Sequence, residues 1–266
     1  MIEKLAALNE YKEAADLREF KQRFRKKFDA RSVQVMEALD PETGIGYGGL
    51  EQDRSGDDFV FNLKPEGTGQ SLRDTLTAGI LSRLVSGKDM ETGYIDIEQL
   101  PGKENPAWLP NTFSVLCSVE GAFVKVEHIG GCTANALLGR FTPVSAQTEA
   151  LCRELADIEK QANPHVLFFD IAYMAEGYVD NINRRKSIYD YQLSIGNYDT
   201  SAAPLTLNDL YLSLNGEDLI LRSKKLNRRM IPRMASAYNH RRSDLPLFRL
   251  LSDLQYQGLQ ADLAFP

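Results

Sequence analysis

The sequence predicts an α+β fold in which hairpins of an antiparallel or mixed β-sheet pack against helices. Apolar residues recur at steps of three and four in some segments and alternate with polar residues in others, which predicts helices and strands. The two kinds of segment follow one another irregularly, unlike the regular alternation of a doubly wound parallel sheet. The chain has 266 residues, of which 43% are hydrophobic, so it can bury a sizeable core.

Four helices are predicted from apolar stripes and start signals. The first stripe consists of Leu17, Phe20, Phe24 and Phe28. The second follows a capping pair, Ser71 and Asp74, and consists of Leu72, Leu76, Ile80 and Leu84. The third helix begins at Ser145 as N-cap and is expected to bury Leu151, Leu155 and Ile158. The fourth opens at residues 243–246 and is expected to bury Leu245, Phe248, Leu251 and Leu254.

Two hairpins are predicted from alternating residues around a turn. In the first, residues 113–119 alternate, Glu120-Gly121 forms the turn, and the strand returns through Val124 and Val126. In the second, residues 210–214 and 219–222 flank Asn215-Gly216, a pair typical of a type I′ turn. The return strand of the first hairpin leads directly into residues 128–131, so we expect the glycine pair there to lie at a strand end.

Residues 166–173 form an almost continuous apolar run, which is typical of a strand covered on both faces. Its single acid, Asp170, is costly to bury alone, so we expect an Arg or Lys to pair with it inside the sheet. The alternative is a general-base role for Asp170.

Composition and missing motifs exclude several classes of function. The formal net charge of −6 excludes a protein whose entire surface binds nucleic acid, although it allows a local basic patch. No apolar run reaches the roughly 20 residues of a membrane span. The three cysteines and three histidines lack metal-binding spacing, so we expect no metal site, and the cysteines are typical of a reduced, cytoplasmic protein. Neither a serine-hydrolase elbow nor a P-loop is present.

The most informative stretch is residues 130–141, which begins with two glycines and contains Arg140 between Gly139 and Phe141. A guanidinium is always charged and offers five donors, so an arginine among small and apolar residues is suited to bind an anion or a carboxylate. Two interpretations stay open here: a structural arginine that pairs with a nearby Asp or Glu, and an anion-binding arginine of a functional site.

A second candidate site is the stretch 222–242, in which eight Lys and Arg residues occur without an acid. On an otherwise acidic protein such a patch is suited to phosphate contact, and residues 238–240 add groups that can stack on bases or hydrogen-bond to them. The alternative is that these side chains are solvated or pair with surface carboxylates. The residues expected to contact phosphate or tRNA are Arg222, Lys224, Lys225, Arg228, Arg229 and Arg233.

Three segments together resemble the class I lantibiotic dehydratases, the family typified by nisin dehydratase. Residues 38–47 resemble a segment with Leu-Asp followed by Gly-x-Gly-Tyr, and residues 130–141 resemble one that ends in Gly-Arg-Phe. Residues 221–246 resemble a longer composite with Leu-Arg-Ser-Lys, Ile-Pro-Arg and Leu-Pro in the same order. The order and approximate spacing match over nearly the whole chain.

The resemblance implies a function. In this family the N-terminal domain transfers glutamate from glutamyl-tRNA to Ser and Thr hydroxyls of a ribosomal lanthipeptide precursor, and a separate domain then eliminates glutamate to leave dehydroalanine or dehydrobutyrine. Residues 1–266 correspond to a middle-to-late part of the glutamylation domain, so we expect a fragment that is inactive alone and can be subdivided into 1–162 and 163–266. The implied partners are glutamyl-tRNA as co-substrate, the precursor peptide, the rest of the dehydratase and a second copy of the parent enzyme, with no cofactor.

The resemblance also implies site residues. The arginine of Gly-Arg-Phe, here Arg140, lines the glutamylation site in the family, and Asn135 and Asn181 are expected as its neighbours. The sequence departs from the family pattern at residues 239–240, where Asn-His replaces Asn-Tyr, and at residues 178–181, where an arginine is missing. A rival interpretation is a non-catalytic module that binds a peptide or partner chain by adding a strand beside residues 130–141.

Overall fold

The computed structural model describes residues 1–48, 78–83, 96–100, 102–103, 108–173, 184–196, 198–199 and 204–263. The fold is α+β, as the sequence predicts. The helices are α1 (Ile2–Leu8), α2 (Ala15–Phe28), α3 (Val35–Leu39), α4 (Asn135–Leu138), α5 (Ala146–Ala162) and α6 (Pro246–Leu254). The strands are β1 (Val33–Gln34), β2 (Ser114–Glu120), β3 (Phe123–Gly130), β4 (Val166–Tyr173), β5 (Tyr191–Ile195), β6 (Leu210–Asn215), β7 (Asp218–Ser223) and β8 (Arg228–Arg233).

The main sheet is mixed and has the strand order β1-β6-β7-β8-β4-β5. Strand β4 runs parallel to β5 and β8, whereas the other pairs are antiparallel. As predicted for an apolar run, β4 is covered on both faces: Phe169 and Ile171 belong to the main core, and Phe168 packs with the residues beneath α5. Both layers of helices therefore pack on this strand.

Helices α2, α3 and α6 cover one face of this sheet. The predicted stripe of α2 is confirmed, because Leu17, Phe20, Phe24 and Phe28 are all buried. Helix α6 begins at Pro246 and buries Phe248 and Leu251 against the same core. Of the second predicted helix, residues 78–83 are helical, and its remainder, including the capping pair at 71 and 74, lies outside the described residues.

Both predicted hairpins are present, but each turn lies one residue later than predicted. The last paired residues are Glu120 with Phe123 and Asn215 with Asp218, so each loop starts with its glycine rather than ending with it. Gly121 and Gly216 have φ values of 62° and 59°. In the second loop a positive φ occurs only at the first position, which fits a type II′ turn rather than the predicted type I′ turn.

Helix α5 begins at Ser145, whose side chain accepts a hydrogen bond from the Thr148 N–H, as predicted for an N-cap. Its predicted buried face is wrong, because Leu151 and Ile158 are each 45% exposed. The residues it buries are Cys152, Ala156 and Glu159. Two small side chains let the helix approach the sheet closely, and Glu159 is drawn inward by an ion pair described below.

Strands β2 and β3 form a separate two-stranded sheet, which we call the ribbon. Its base is anchored, since Ile129 packs with Leu5 and Leu263. Further out, four valines on one face are exposed: Val115, Val119, Val124 and Val126. Within the described residues, no helix has the length and hydropathy that a membrane span requires. The subdivision at residue 162 stays a prediction.

Candidate functional site

The glycine pair at the end of β3 is held against the end of the described chain. Gly130 and Gly131 have φ values of 149° and 96°, in the region that favours glycine. The Gly131 N–H donates to the Ala261 carbonyl at 2.7 Å, and a side chain at Gly130 would collide with the same carbonyl. The prediction that this pair lies at a strand end is confirmed, and the loop that follows starts from a fixed point.

Arg140 lies in the 3-10 turn Gly139–Phe141, at the far end of that loop. Gly139 packs so closely on the Ala235 backbone that no side chain would fit there. The Arg140 side chain is exposed, and its guanidinium carbon lies 4.6 Å from the centroid of the Phe141 ring. Within the described part of the chain it forms no ion pair with an Asp or Glu. Among the described residues the donors of its guanidinium therefore have no acidic partner, and the two interpretations of Arg140 stay open.

A buried polar network supports the loop from below, and Glu159 is its centre. The Glu159 carboxylate accepts hydrogen bonds from Thr112 at 2.5 Å and Tyr189 at 2.9 Å, and pairs with Arg233 at 3.0 Å. Thr112 in turn accepts the Ala134 N–H at 3.0 Å, which ties the loop to α5 and β8. Burial raises the pKa of Tyr189 well above its usual value, so its hydroxyl remains a donor.

This network corrects one sequence-based assignment. Arg233 is only 3% exposed, its charge is neutralised by Glu159, and its guanidinium carbon lies 4.7 Å from the Phe168 ring centroid. The prediction that Arg233 contacts phosphate is therefore wrong in this geometry. The error arises because Arg233 continues a basic stretch in sequence, whereas its partner is an acid far away along the chain.

Asn135 is also buried and supports the loop internally. Its side-chain N–H donates to the Cys152 carbonyl on α5 at 3.1 Å, and its backbone N–H donates to the Thr133 hydroxyl at 3.2 Å. Asn135 thus lies near Arg140 in sequence but acts as a brace between the loop and α5. Asn181, the other expected neighbour, lies outside the described residues.

Three of the remaining basic residues come together on the sheet. Tyr211, Arg222 and Arg229 are direct partners across β6, β7 and β8, so their side chains lie on one face. The Lys224 ammonium lies 5.5 Å from the Tyr211 ring centroid. We call Arg222, Lys224 and Arg229 the basic row. Two arginines directly opposite each other repel, and an anion between them would relieve that repulsion.

The other two basic residues are not part of this row. Arg228 pairs in register with Ser223, on the opposite face of the sheet from Arg229, and donates to the Pro164 carbonyl at 2.5 Å. Lys225 is exposed on the turn between β7 and β8. Arg222 itself donates to the Asn227 side chain at 2.7 Å, which fixes its guanidinium on the same turn.

Asp170 has the partner that the sequence predicts. It is 1% exposed, accepts the N–H groups of Ile188 and Tyr189 at 2.8 and 3.2 Å, and lies 3.7 Å from the Arg185 guanidinium. Burial raises the pKa of this carboxyl, and the Arg185 charge opposes that effect. Because its Oδ2 accepts both N–H groups, Asp170 braces the segment that enters β5.

Sequence reasoning missed a second buried network, centred on Asp253 of α6. The Tyr47 hydroxyl donates to Asp253 at 2.5 Å, and the His240 Nε2 lies 2.9 Å from the other carboxylate oxygen. Burial raises the pKa of Tyr47 far above its usual value. Tyr47 ends the segment 38–47, and His240 stands at the position that departs from the family pattern. Tyr47 belongs to a segment that the sequence analysis singled out, but the acid that it contacts, Asp253, lies far away in sequence.

Comparisons with known proteins agree with the motifs. The family model described as "Lantibiotic dehydratase, N terminus" matches residues 1–265. No curated protein matches this chain. The crystal structure of the tRNA-dependent lantibiotic dehydratase MibB from Microbispora sp. 107891 is 22% identical with a TM-score of 0.71, and the match covers 98% of this chain and 26% of that one.

A weaker structural match is the glutamylation domain of TbtB from thiomuracin biosynthesis. It is 14% identical with a TM-score of 0.41, over 95% of this chain and 33% of that one. The chain spans about a quarter of the length of MibB and has the fold of the matched part of that protein. The match of the family model over nearly every residue shows that this chain belongs to the lantibiotic dehydratase family, in the N-terminal region of such proteins.

Proposed function

We propose that this chain is part of a tRNA-dependent peptide dehydratase and takes part in the glutamylation of Ser and Thr in a ribosomal lanthipeptide precursor. Glutamyl-tRNA is the co-substrate, no cofactor is used, and later elimination of glutamate leaves dehydroalanine or dehydrobutyrine. One observation carries the proposal: Arg140 presents an exposed guanidinium, without an acidic partner among the described residues, on a turn braced by buried contacts. Family membership supports it.

The chemistry explains why an arginine is suited to this position. Glutamyl transfer breaks the ester between glutamate and the tRNA ribose and forms an ester with a peptide hydroxyl. The attack places negative charge on the former carbonyl oxygen, close to RNA phosphates. Arg140 stabilises one of these anions, because its guanidinium stays charged without gaining a proton and donates two hydrogen bonds in a fixed geometry. The Phe141 ring limits the orientations of the guanidinium through a cation–π contact.

The parent enzyme supplies what this chain lacks. The chain spans about a quarter of MibB. In this proposal the remaining glutamylation residues and the elimination domain belong to the rest of the dehydratase, and the isolated chain is inactive. The partners are glutamyl-tRNA, the precursor peptide and a second copy of the parent enzyme, in the cytoplasm where charged tRNA is made.

The test is Arg140→Ala in the complete dehydratase, with glutamylated precursor measured by mass spectrometry. We expect the rate to fall about 100-fold to 1,000-fold, as when one anion-stabilising donor is removed. Arg140→Lys keeps the charge but not the fork of donors, so it should recover only part of the rate. Arg23→Ala, which removes an exposed arginine of α2, is the matched control. Full activity of Arg140→Ala would disprove the assigned role.

The basic row is tested separately by tRNA binding. Arg222→Glu with Lys224→Glu should weaken tRNA binding and reduce the slope of log affinity against log salt by about one for each phosphate that the row no longer neutralises. Lys12→Glu with Lys26→Glu reverses two basic residues that lie outside the row and serves as the control. Unchanged affinity and slope would mean that the row is only solvated surface.

A second candidate function is peptide binding without catalysis, and the ribbon favours it. Its strands pair with each other, and four valines on one face are exposed. An extended peptide could add to an edge and cover them. Precursor peptide that binds equally well to wild type and Arg140→Ala, in a dehydratase that glutamylates nothing, would favour this function over the first.

A further inference from the structure

Strands β7 and β8 separate soon after they begin to pair. They are paired only at Arg222–Arg229 and Ser223–Arg228. Nearer the start of β7, away from the turn between β7 and β8, the Leu219 N–H and carbonyl are hydrogen-bonded to the side chain of Gln257, at 2.9 and 3.1 Å. A side chain therefore takes over the backbone groups that a neighbouring strand would normally pair, and a gap opens in the sheet.

The gap is a cleft of about 340 Å³. Leu219 and Ile231 line its apolar part, Arg229 and Gln255 contribute polar groups, and Trp108 lines it from outside the sheet. This volume is in the range of pockets that hold small organic ligands. Asp218 is the one acid among the described residues that line it, and it is exposed.

Gln255 lines this cleft and has a buried donor without a partner among the described residues. The residue is 2% exposed, and its Oε1 accepts the Met234 N–H at 3.2 Å, which fixes the orientation of the amide. Its Nε2 has no hydrogen-bond partner in the described part of the chain. A buried donor without a partner is unfavourable, so a ligand that offers an acceptor atom gains binding free energy here.

Charge and an aromatic surface narrow the class of ligand. Arg229 is exposed and belongs to the basic row, and its guanidinium forms no hydrogen bond or ion pair within the described residues. Arg233, by contrast, is already neutralised by Glu159. Trp108 is 83% exposed, and an exposed indole is a surface on which bases stack. The cleft thus combines a stacking surface, an amide donor and a cation.

We propose that this cleft holds an unpaired nucleotide, with its base on Trp108, an acceptor of the base on Gln255 Nε2 and a phosphate beside Arg229. The inference rests on the proposed function to the extent that the nucleotide belongs to the tRNA held by the basic row. A free nucleoside monophosphate would use the same three contacts. The two sources are separated by the experiment.

Trp108 is the single tryptophan of the 266-residue chain, so its fluorescence reports on the cleft alone. We expect saturable quenching by AMP, GMP, CMP or UMP if the cleft binds a free nucleotide, and by a short unstructured RNA but not the monophosphates if it needs the strand. Anisotropy of labelled RNA should show an affinity about 10-fold lower in Trp108→Ala, the loss typical of one stacked base. Phe123→Ala, which removes another exposed aromatic outside the cleft, is the control.

Gln255→Glu tests the donor, because it keeps the acceptor for Met234 and replaces Nε2 by an oxygen. It should weaken binding at unchanged far-UV circular dichroism. No quenching by any nucleotide or RNA, together with unchanged affinity in Trp108→Ala, would overturn the inference. If tRNA binding depends on Arg222 and Lys224 but not on Trp108, the cleft inference fails and the proposed function stands. If monophosphates quench the fluorescence but tRNA does not bind, the cleft inference stands and the proposed function fails.

Discussion

The two hairpins of this chain follow the same sequence pattern and have opposite surroundings. In the hairpin of β6 and β7, Leu212 and Leu219 are almost completely buried between sheet and helices. In the ribbon, Val119 and Val124 are 68% and 62% exposed. Alternation of apolar and polar residues therefore specifies a strand, whereas burial depends on whether another layer lies against it. Since an isolated two-stranded hairpin is only marginally stable, the ribbon depends on its anchored base.

The largest expected effect comes from breaking the buried Glu159 network, which lies at the two ends of the ribbon, at Thr112 before β2 and Ala134 after β3. Glu159→Gln removes the charge that neutralises Arg233 in the interior, so we expect a loss of about 3–5 kcal/mol in the free energy of unfolding. The measurement is urea denaturation of the chain. Glu127→Gln is the matched control, because its partner Lys125 is exposed on the ribbon and such pairs contribute at most about 1 kcal/mol. Equal losses in the two variants would contradict the contrast between this buried network and the exposed ribbon.

A cavity in the main sheet should have a slightly smaller effect. Leu212→Ala removes a fully buried side chain of β6, and we expect a loss of about 3 kcal/mol in unfolding free energy. Val124→Ala, the corresponding truncation in the ribbon, should cost less than about 1 kcal/mol, because most of that side chain is already in water. Similar midpoints for both variants in urea would show that the ribbon is covered.

The sequence predicts these elements better than their partners. The stripe of α2 and both hairpins follow from local periodicity, which reports on the side chains of a few neighbouring residues. The outward position of Ile158 does not, because it results from the pairing of Glu159 with Arg233, which lies 74 residues further on. The same long-range pair removes Arg233 from the basic surface. Position in sequence cannot reveal a contact that only the folded chain creates.

The candidate site shows the same division. The strand-end position of residues 130–131 follows from the alternation before them, and the partner of Asp170 follows from the cost of burying a lone carboxylate. The exposed state of Arg140 and the row formed by Arg222 and Arg229 depend on register and packing, which local patterns leave undetermined. The sequence places each turn one residue early, because a glycine in a two-residue loop is compatible with either position until the pairing is known.

A helix cap offers a test of intermediate size. Ser145→Ala removes the hydroxyl that accepts the Thr148 N–H at the start of α5, the helix that supplies Glu159 to the buried network. We expect a loss of about 1 kcal/mol in unfolding free energy, measured by urea denaturation. Ser145→Asp keeps an acceptor at the N-cap and should restore stability. A loss in Ser145→Asp as large as in Ser145→Ala would mean that the cap is not what stabilises α5.

The smallest effect is expected on the exposed face of the ribbon. Val119 and Val124 are direct partners across β2 and β3, and Thr keeps their branched shape and strand preference while adding a hydroxyl. The double variant Val119→Thr, Val124→Thr should change the unfolding free energy by less than about 0.5 kcal/mol, because both side chains contact water before and after the change. A loss of about 2 kcal/mol or more would require these side chains to be buried in solution. Both hairpins would then bury their apolar face, and they would differ only in which part of the protein, or which partner, covers that face.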